Sequence, residues 1–234
     1  MAGRYDAVIF DLFGTLADNP SAEESDRAYR AVANALALPH DAFREAWRTS
    51  MSERDIGTFG GVEGDLRDVC RRLGQSPLPA RIEAATRLRL ALYRRYLAPR
   101  DGAVETLRQL RARGLRIGLI SNCANEIPRL WSEADLAPLI DCAVFSSEAG
   151  MEKPDERIYR MTCDRLGVQP ERCLYAGDGS SFELSGAQRV GMTAVLICTP
   201  YERESVMRKA EPSSWTGPVI EHLSEVLKYL EEAA

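Results

Sequence analysis

Five short apolar runs recur along the chain, and none of them alternates with polar residues. They share aliphatic and β-branched side chains and occupy residues 7–10, 116–120, 142–145, 173–176 and 193–198. A continuous apolar run is typical of a strand that is buried on both faces, as in a parallel sheet covered by helices. The pattern therefore predicts five strands of one parallel sheet.

Helical patterns separate these runs, at residues 103–113, 125–134, 156–166 and 183–190. The repeated alternation of strand and helix predicts an α/β fold, a doubly wound Rossmann-like core. The stretch 200–218 is polar and irregular, so we expect it to form a surface loop that leads into a final helix.

The stretch 18–98 breaks the alternation because it contains no strand-like run. Its helical candidates are residues 21–37, 41–54, 63–73 and 79–97. Ser21 and Glu24 have the spacing of a capping box at the first of these helices. An all-helical insertion after the first strand is expected to cover the carboxyl edge of the sheet, where open α/β sheets bind ligands. We therefore predict a core made of residues 1–17 and 99–234, with residues 18–98 as a helical cap.

Composition narrows the class of protein. The 234 residues are 45% hydrophobic and 28% charged, as in ordinary globular proteins. A net charge of −5 argues against a general affinity for nucleic acid or for an anionic membrane. No apolar run approaches the ~20 residues of a membrane span, and the N-terminus lacks a signal-peptide layout. We expect a cytoplasmic protein whose partner is a small anionic substrate; the sequence does not indicate an oligomeric state.

Cysteine and histidine exclude several kinds of site. The six cysteines show no Cys-x-x-Cys spacing, so we expect reduced thiols rather than a zinc cluster. The only histidines are His40 and His222, and neither neighbours a nucleophile motif. The sequence contains neither a Gly-x-Ser-x-Gly elbow nor a Walker loop.

Asp11 follows the first predicted strand directly, within the pentapeptide DLFGT. A carboxylate at this position can attack a bound electrophile. Gly14 permits a tight turn and close backbone approach, and Thr15 adds a hydroxyl beside backbone N–H groups that can hold anionic oxygens. Taken alone, the same residues could form an ordinary turn that an Asp caps.

Polar residues also follow the second strand and precede a later helix. The side chains of Ser121 and Asn122 can hydrogen-bond a phosphoryl or carboxylate oxygen, or form a simple turn. Lys153 stands out because the 30 basic residues include only two other lysines, Lys209 and Lys228. Its compact charge suits a partner for the nucleophile and for a bound anion.

Asp178 ends the fourth strand between two glycines. A carboxylate there can bind a hard cation, and Glu183 could orient a metal-bound water. An acidic cap of the next helix is the alternative interpretation. Because the carboxyl ends of parallel strands meet at one edge, we expect the side chains of Asp11, Ser121, Lys153 and Asp178 to converge.

This combination resembles the haloacid dehalogenase superfamily, over nearly the whole chain and including the cap. The resemblance implies a hydrolase with a C1-type cap, in which Asp11 is the nucleophile, Ser121 holds the transferred group and Lys153 balances charge. It also implies a Mg²⁺ ion bound by Asp11, Asp178 and the backbone carbonyl of Phe13.

Phe13 departs from the pattern, because phosphatases of this superfamily usually place a second aspartate there as general acid and base. Such acid–base help is typically worth ~10²–10⁴ in rate. Three functions therefore stay open. The first is Mg²⁺-dependent hydrolysis of a small phosphorylated metabolite, either with a substitute acid or with a leaving group that needs little protonation, as in an acyl or aryl phosphate.

The second function is C–halogen hydrolysis, since the 2-haloacid dehalogenase branch has an aromatic residue near this point and needs no general acid for halide release. Arg48 resembles the halide-binding arginine of that branch, and Tyr159 its tyrosine, whereas Asp178 would repel a substrate carboxylate. The third is ligand binding without catalysis. The phosphonatase branch is excluded because its cap lysine has no counterpart before Lys153.

Overall fold

The computed structural model describes residues 4–200 and 210–230. A sheet of six parallel strands forms its centre, in the order β3-β2-β1-β4-β5-β6. The strands are β1 (Ala7–Phe10), β2 (Arg116–Ser121), β3 (Cys142–Phe145), β4 (Cys173–Gly177), β5 (Thr193–Ile197) and β6 (Val219–Ile220). The predicted α/β fold is confirmed. The sequence did not reveal β6, because a two-residue strand leaves no readable pattern.

The position of β1 determines where the polar strand ends meet. It lies between β2 and β4, with Phe10 in register with Leu119 on one side and Ala176 on the other. The residues that follow these three strands therefore emerge at one edge of the sheet. All four residues of β1 are fully buried, as expected for a central parallel strand.

Helices cover both faces of the sheet. They are α6 (Ala103–Ala112), α7 (Glu126–Trp131), α8 (Ser146–Ala149), α9 (Glu156–Leu166) and α10 (Glu183–Arg189). Successive residues of β1 contribute to two separate hydrophobic clusters. Val8 and Phe10 belong to one cluster, and Ala7 and Ile9 belong to the other. This two-sided burial explains why the strand sequences lack alternation.

Five helices form the insertion after β1: α1 (Ala22–Leu36), α2 (His40–Thr49), α3 (Met51–Asp55), α4 (Val62–Arg72) and α5 (Pro79–Tyr96). They share a third hydrophobic cluster that includes Phe43, Trp47 and Leu66. The capping box at α1 is present, because the Ser21 hydroxyl accepts from the Glu24 N–H and Glu24 accepts from the Ser21 N–H.

One long helix was predicted over residues 41–54, but the chain breaks it at Ser50 into α2 and α3. The Ser50 hydroxyl donates to the Trp47 carbonyl at 3.1 Å, and Arg54 donates to the same carbonyl at 2.8 Å. Side-chain donors that occupy a helix carbonyl compete with the backbone ladder.

The two chain segments that flank the helical insertion meet beside the turn of residues 11–15, the nucleophile turn, so named for the predicted role of Asp11. Ala17 and Pro99 form an antiparallel bridge, and the buried Arg100 guanidinium donates to the Gly14 carbonyl at 3.0 Å and to Asp18 at 2.7 Å. We propose that the boundary between core and cap lies at this bridge.

The C-terminal part differs from the expected loop. Residues 201–209 lie outside the described residues, but α11 (Ala210–Ser214) forms within the stretch predicted as irregular. The final helix is a 3₁₀ segment, Leu223–Leu230. All six cysteines are free. Within the described part of the chain, no helix combines the length and apolar character required to cross a bilayer.

A buried ion pair joins the insertion to the core. Arg89 of α5 donates to Glu126 of α7 at 2.7 Å, and both side chains are 1% exposed. A second pair between the same helix and the core, Arg94 with Glu133 at 2.9 Å, is more than half exposed. Burial makes the loss of one partner costly, whereas exposed pairs contribute little.

We expect Arg89→Met to lower the free energy of unfolding by about 3–5 kcal/mol, because it leaves the Glu126 carboxylate buried without a counterion. Arg94→Met is the matched control, with an expected change of about 0–1 kcal/mol. Urea titration of both variants measures the difference. Equal losses in the two variants would contradict this account of the interface.

Candidate active site

The Lys153 ammonium lies at the centre of the carboxyl edge of the sheet and is 2% exposed. It donates to Asp11 Oδ1 at 2.6 Å and to Glu183 Oε2 at 2.5 Å. It also contacts the Tyr175 hydroxyl and the Ile120 carbonyl, each at 3.2 Å. Its two carboxylate partners raise its pKa against the opposing effect of burial. The lysine is therefore held charged in a site without solvent.

Asn122 fixes the segment that carries this lysine. Its amide donates to the Lys153 carbonyl at 3.0 Å, and its side-chain oxygen accepts from the Lys153 N–H at 2.8 Å. We predicted Asn122 as a substrate-binding residue. The structure gives it a structural task at the end of β2, although its side chain also borders the cavity described below.

Glu183, at the start of α10, is fully buried and supports Lys153. Its Oε2 also accepts from the Tyr175 hydroxyl at 2.8 Å, and its Oε1 accepts from the Gly179 N–H at 3.0 Å. A Cβ at Gly177 would lie 2.3 Å from Oε1, so this position must be glycine for the carboxylate to enter. The role of Glu183 in orienting a metal-bound water stays a prediction.

Asp11 sits directly after β1 and is 6% exposed. Its N–H donates to the Ala176 carbonyl at 3.0 Å, which continues the pairing of β1 with β4. Lys153 holds Oδ1, whereas Oδ2 is buried and has no hydrogen-bond partner within residues 4–200 and 210–230. Burial raises the pKa of Asp11; Lys153 opposes the rise and Asp178 adds to it. A water, a ligand or an ion bound at this oxygen would satisfy it.

Asp178 follows β4 and approaches the nucleophile turn closely. Its Oδ1 accepts from the Ser180 N–H at 2.9 Å and from the Ser180 hydroxyl at 2.6 Å. Its Oδ2 lies over Gly14, where a Cβ would come within 2.1 Å. Gly14 also has a φ of +81°, a conformation that favours glycine. Glycine at this position therefore allows the Asp178 carboxylate to reach the turn that carries Asp11.

Three buried carboxylates share this edge with one ammonium group. Ligand atoms of Asp11, Asp178 and Glu183 all lie within 4.8 Å of one another. Burial and the charge of Asp11 raise the pKa of Glu183 to about 8, and Asp178 adds to the rise. A hard divalent cation such as Mg²⁺ prefers oxygen ligands and would offset this repulsion. The donor set and the orphaned Asp11 oxygen fit such an ion.

The remaining predicted residues of the core lie at the same edge. Thr15 is fully buried in the nucleophile turn, and its hydroxyl has no hydrogen-bond partner in the described ranges. Ser121 is the last residue of β2 and is 1% exposed. The structure therefore brings Asp11, Thr15 and Ser121 to one edge with Lys153 and Asp178, as the topology of the strands requires.

A cavity of about 610 Å³ separates this edge from the helical insertion. Phe13 and Asn122 border it from the core, and Trp47, Arg54 and Tyr93 border it from the helices. The volume falls in the range of ordinary small-molecule pockets, roughly 300–1,000 Å³. The cavity therefore offers room for a small substrate beside Phe13 of the nucleophile turn, although Asp11 and Lys153 are not among its lining residues.

Phe13 turns its ring toward the insertion. The ring is half-buried and lies 6.3 Å from the ring of Tyr93, centroid to centroid, at an angle of 58°. Phe13, two residues after Asp11, therefore contributes an apolar wall to the cavity and no proton donor. Its carbonyl remains a predicted metal ligand.

Arg48 borders the outer part of the cavity but is mostly exposed. Its guanidinium forms a bidentate pair with Glu45, with distances of 3.0 Å from Nε and 2.7 Å from Nη2. The predicted substrate-binding role of Arg48 stays a prediction. Tyr159 lies away from the cavity, and its hydroxyl donates to the Glu183 carbonyl at 2.9 Å.

Two important residues escaped the sequence analysis. Tyr175 lies inside an apolar run and was treated as core, although its hydroxyl bonds both Lys153 and Glu183. Arg54 was one of many helical arginines, yet it is 4% exposed. Side chains along a strand point alternately to the two faces of the sheet, and this rule could have placed Tyr175 of β4 on the same face as Ile9. No local pattern distinguishes a buried arginine such as Arg54 from an exposed one.

A family model for haloacid dehalogenase-like hydrolases matches residues 5–191. The chain belongs to this family. It is 32% identical to a glyceraldehyde 3-phosphate phosphatase of Methanopyrus kandleri, over 82% of this chain and 83% of the relative. It is 26% identical to an (S)-2-haloacid dehalogenase of Pseudomonas fluorescens, over 81% and 82% of the two chains. Both relatives are hydrolases, so the protein is a hydrolase of the haloacid dehalogenase-like family.

The same family fold appears in a solved structure, that of a 2-haloacid dehalogenase from Pseudomonas syringae. Its TM-score is 0.73 at 22% identity, with 97% of this chain and 99% of that chain covered. This likeness confirms the Rossmann-like fold inferred from the sequence pattern.

The charge balance at the edge predicts that Mg²⁺ stabilises the folded protein. At a concentration ten times its dissociation constant, Mg²⁺ should add about 1.4 kcal/mol to the free energy of unfolding. Asp178→Asn should abolish the effect, and Asp135→Asn, which removes an exposed carboxylate from the same core, should retain it. Thermal melts in Mg²⁺ and in Na⁺ at the same ionic strength measure the stabilisation by Mg²⁺ in each variant. Identical Mg²⁺ shifts in both variants would refute the assignment.

Proposed function

We propose that this hydrolase is a Mg²⁺-dependent phosphatase of small phosphorylated metabolites, with Asp11 as the covalent nucleophile. One observation carries the proposal. Three buried carboxylates face a single ammonium group, and the Asp11 oxygen that Lys153 does not hold lacks a hydrogen-bond partner in the described residues. A site that only released halide would have no need for this excess negative charge.

In the proposed reaction the Asp11 carboxylate attacks phosphorus, and the bond from phosphorus to the leaving oxygen breaks with its electron pair on that oxygen. Water then attacks the aspartyl-phosphate, releasing phosphate and restoring the carboxylate. Lys153 fixes the orientation of Asp11 and supplies positive charge beside the transferred group. Mg²⁺ held by Asp11, Asp178 and the Phe13 carbonyl would supply Lewis-acid stabilisation of the phosphoryl oxygens.

The donors for the transferred group come from the same edge. Ser121 and the backbone of the turn after Asp11 are proposed to hold the phosphoryl oxygens, with the Thr15 hydroxyl as a further donor. The relationship to the glyceraldehyde 3-phosphate phosphatase supports a small anionic substrate. Location in the cytoplasm and the absence of nucleic-acid and membrane partners stay predictions.

Phe13 narrows the substrates that such a site can use. Its ring cannot protonate the leaving oxygen, so alkyl phosphates, whose leaving groups are strongly basic, should react slowly. Acyl and aryl phosphates release oxygens that need little protonation. We therefore expect these two classes to be the better substrates.

Asp11→Asn should reduce hydrolysis of p-nitrophenyl phosphate by roughly 10³-fold or more, because it removes the nucleophile. EDTA should abolish wild-type activity, and excess Mg²⁺ should restore it. Asp135→Asn serves as the charge-matched control, and a phosphate-release assay gives the rates. Equal turnover with and without metal would count against the proposal.

Phe13→Asp should accelerate hydrolysis of alkyl phosphates, because it installs a carboxyl group that can donate a proton. Phe13→Asn is the matched control, since it removes the ring without adding a titratable acid. The rate ratio of the two variants should reach ~10²–10⁴ for alkyl phosphates and stay smaller for aryl phosphates. The same ratio for both substrate classes would show that the gain does not come from acid catalysis.

C–halogen hydrolysis is the second candidate function, favoured by the aromatic Phe13 and by the relationship to (S)-2-haloacid dehalogenases. Halide departs without protonation, so Phe13 is no handicap there. The buried Asp178 opposes this function because it would repel the substrate carboxylate. Metal-independent chloride release from 2-chloropropionate that disappears in Asp11→Asn would establish it in place of the phosphatase.

A further inference from the structure

Arg54 is a buried guanidinium on the cap side of the cavity. It is 4% exposed, and its side-chain bonds go to neutral groups, the Ser50 hydroxyl at 3.1 Å and the Trp47 carbonyl at 2.8 Å. Across the described parts of the chain, no carboxylate lies within ion-pair distance of it. A buried charge without a counterion is costly, so its retention in a cavity wall requires an explanation.

The stacking of Arg54 keeps its position fixed. Its Cζ lies 3.8 Å from the centroid of the Trp47 ring, and the same ring carries the Cζ of Arg89 at 4.3 Å. Glu126 forms its ion pair with Arg89, so Arg54 is attracted by Glu126 and Asp55 only beyond ion-pair distance. Burial and the nearby Arg89 lower the pKa of Arg54. A bound anion would relieve both effects.

The other arginines that border the cavity are in a different situation. Arg48 is paired with Glu45, and Arg44 is exposed and lies 3.7 Å from Asp26. These two guanidinium groups are therefore neutralised by partners on the surface of the insertion. Arg54 is the buried arginine of the cavity lining, which makes it the better anion anchor.

The rest of the lining indicates what accompanies the anion. Four aromatic side chains border the cavity, namely Phe13, Tyr29, Trp47 and Tyr93. Asp55 also borders it; burial raises the pKa of Asp55 to about 6 and the neighbouring Arg54 opposes the rise, so this carboxylate stays mostly ionised at pH 7. Apolar walls with one strong cation suit an organic group that ends in a carboxylate.

We propose that Arg54 binds a second anionic group, a carboxylate, on the leaving group of the substrate, with the aromatic walls holding the organic part between this group and the scissile phosphate. The proposal rests on the phosphatase function and names its substrate class as carboxylated organic phosphates. Arg54 is then a specificity-determining residue of the cap.

The test compares 4-carboxyphenyl phosphate with 4-carbamoylphenyl phosphate, together with the meta isomers of both, which differ in distance from phosphate to carboxylate. The intrinsic reactivity of each substrate does not depend on the enzyme variant. A change between variants in the ratio of the two kcat/KM values therefore reports recognition of the carboxylate. For at least one isomer, Arg54→Met should lower this ratio by roughly 10- to 150-fold, the value of hydrogen bonds to a charged group.

Two further variants keep the test decisive. Arg54→Lys retains the charge and should recover part of the preference even if Arg54→Met folds poorly. Arg44→Met, which removes an exposed arginine of the same cavity, should leave the ratio unchanged. The proposal is overturned if Arg54→Met keeps the wild-type ratio, if Arg44→Met shows the loss instead, or if 4-(aminomethyl)phenyl phosphate is preferred, which would point to Asp55.

A binding measurement separates this inference from the proposed function. If no phosphate ester is hydrolysed, the phosphatase proposal fails, but calorimetric titration with 4-carboxybenzylphosphonate and its carbamoyl analogue still tests Arg54. Tighter binding of the carboxylate that disappears in Arg54→Met supports the anion site. Equal affinities for the two phosphonates in the wild type overturn it.

Discussion

The structure depends on one buried ammonium group, that of Lys153, held between the carboxylates of Asp11 and Glu183. Without it, three acids would share the carboxyl edge of the sheet with no positive charge among the groups described at that edge. Removing one partner of such a group leaves an uncompensated buried charge. Neighbouring features serve this arrangement: the Asn122 side chain fixes the lysine backbone, and Gly177 leaves space for Glu183. The same interactions that hold the fold together thus orient the nucleophile.

Charge is distributed unequally across the cavity. The core side retains excess negative charge around Asp11 and Asp178. The cap side buries Arg54 and Arg89 near the carboxylates of Asp55 and Asp65, and the ion-pair partner described for Arg89 is Glu126 of the core. Each side is costly alone, and each would be stabilised by a ligand of opposite sign. A divalent cation on the core side and an anionic substrate group on the cap side would stabilise the two sides of the cavity. This complementarity links the proposed metal to the proposed substrate class through electrostatics rather than through shape.

The sequence predicted the sheet well because a strand buried on both faces leaves a continuous apolar run, and a polar residue after such a run marks the strand end. The placement of Asp11, Ser121 and Asp178 at one edge follows from that topology. Side-chain partners were less accessible. The side chain of Asn122 has the hydrogen-bonding groups of a substrate-binding residue, yet it bonds the Lys153 backbone. Its amide N–H and its carbonyl oxygen match the C=O and N–H groups of that residue.

Residues of the cap were harder to interpret because helical periodicity reports burial of apolar side chains and is silent about charged ones. Arg48 and Arg54 are six positions apart on adjoining helices, and only the break at Ser50 decides which is buried. The sequence did not predict the short elements for a related reason. Strand β6 and helices α8 and α11 have too few residues to repeat a pattern.

The bridge between Ala17 and Pro99 brings the two ends of the helical insertion side by side. The Arg100 guanidinium, just after this bridge, donates hydrogen bonds to the Gly14 carbonyl and to Asp18. An insert whose ends already touch can be exchanged for one of another size without opening the sheet beneath it. In the proposed function, the chemistry at Asp11 and Lys153 and the choice of substrate by the helical insertion would therefore be encoded in separable pieces of the chain.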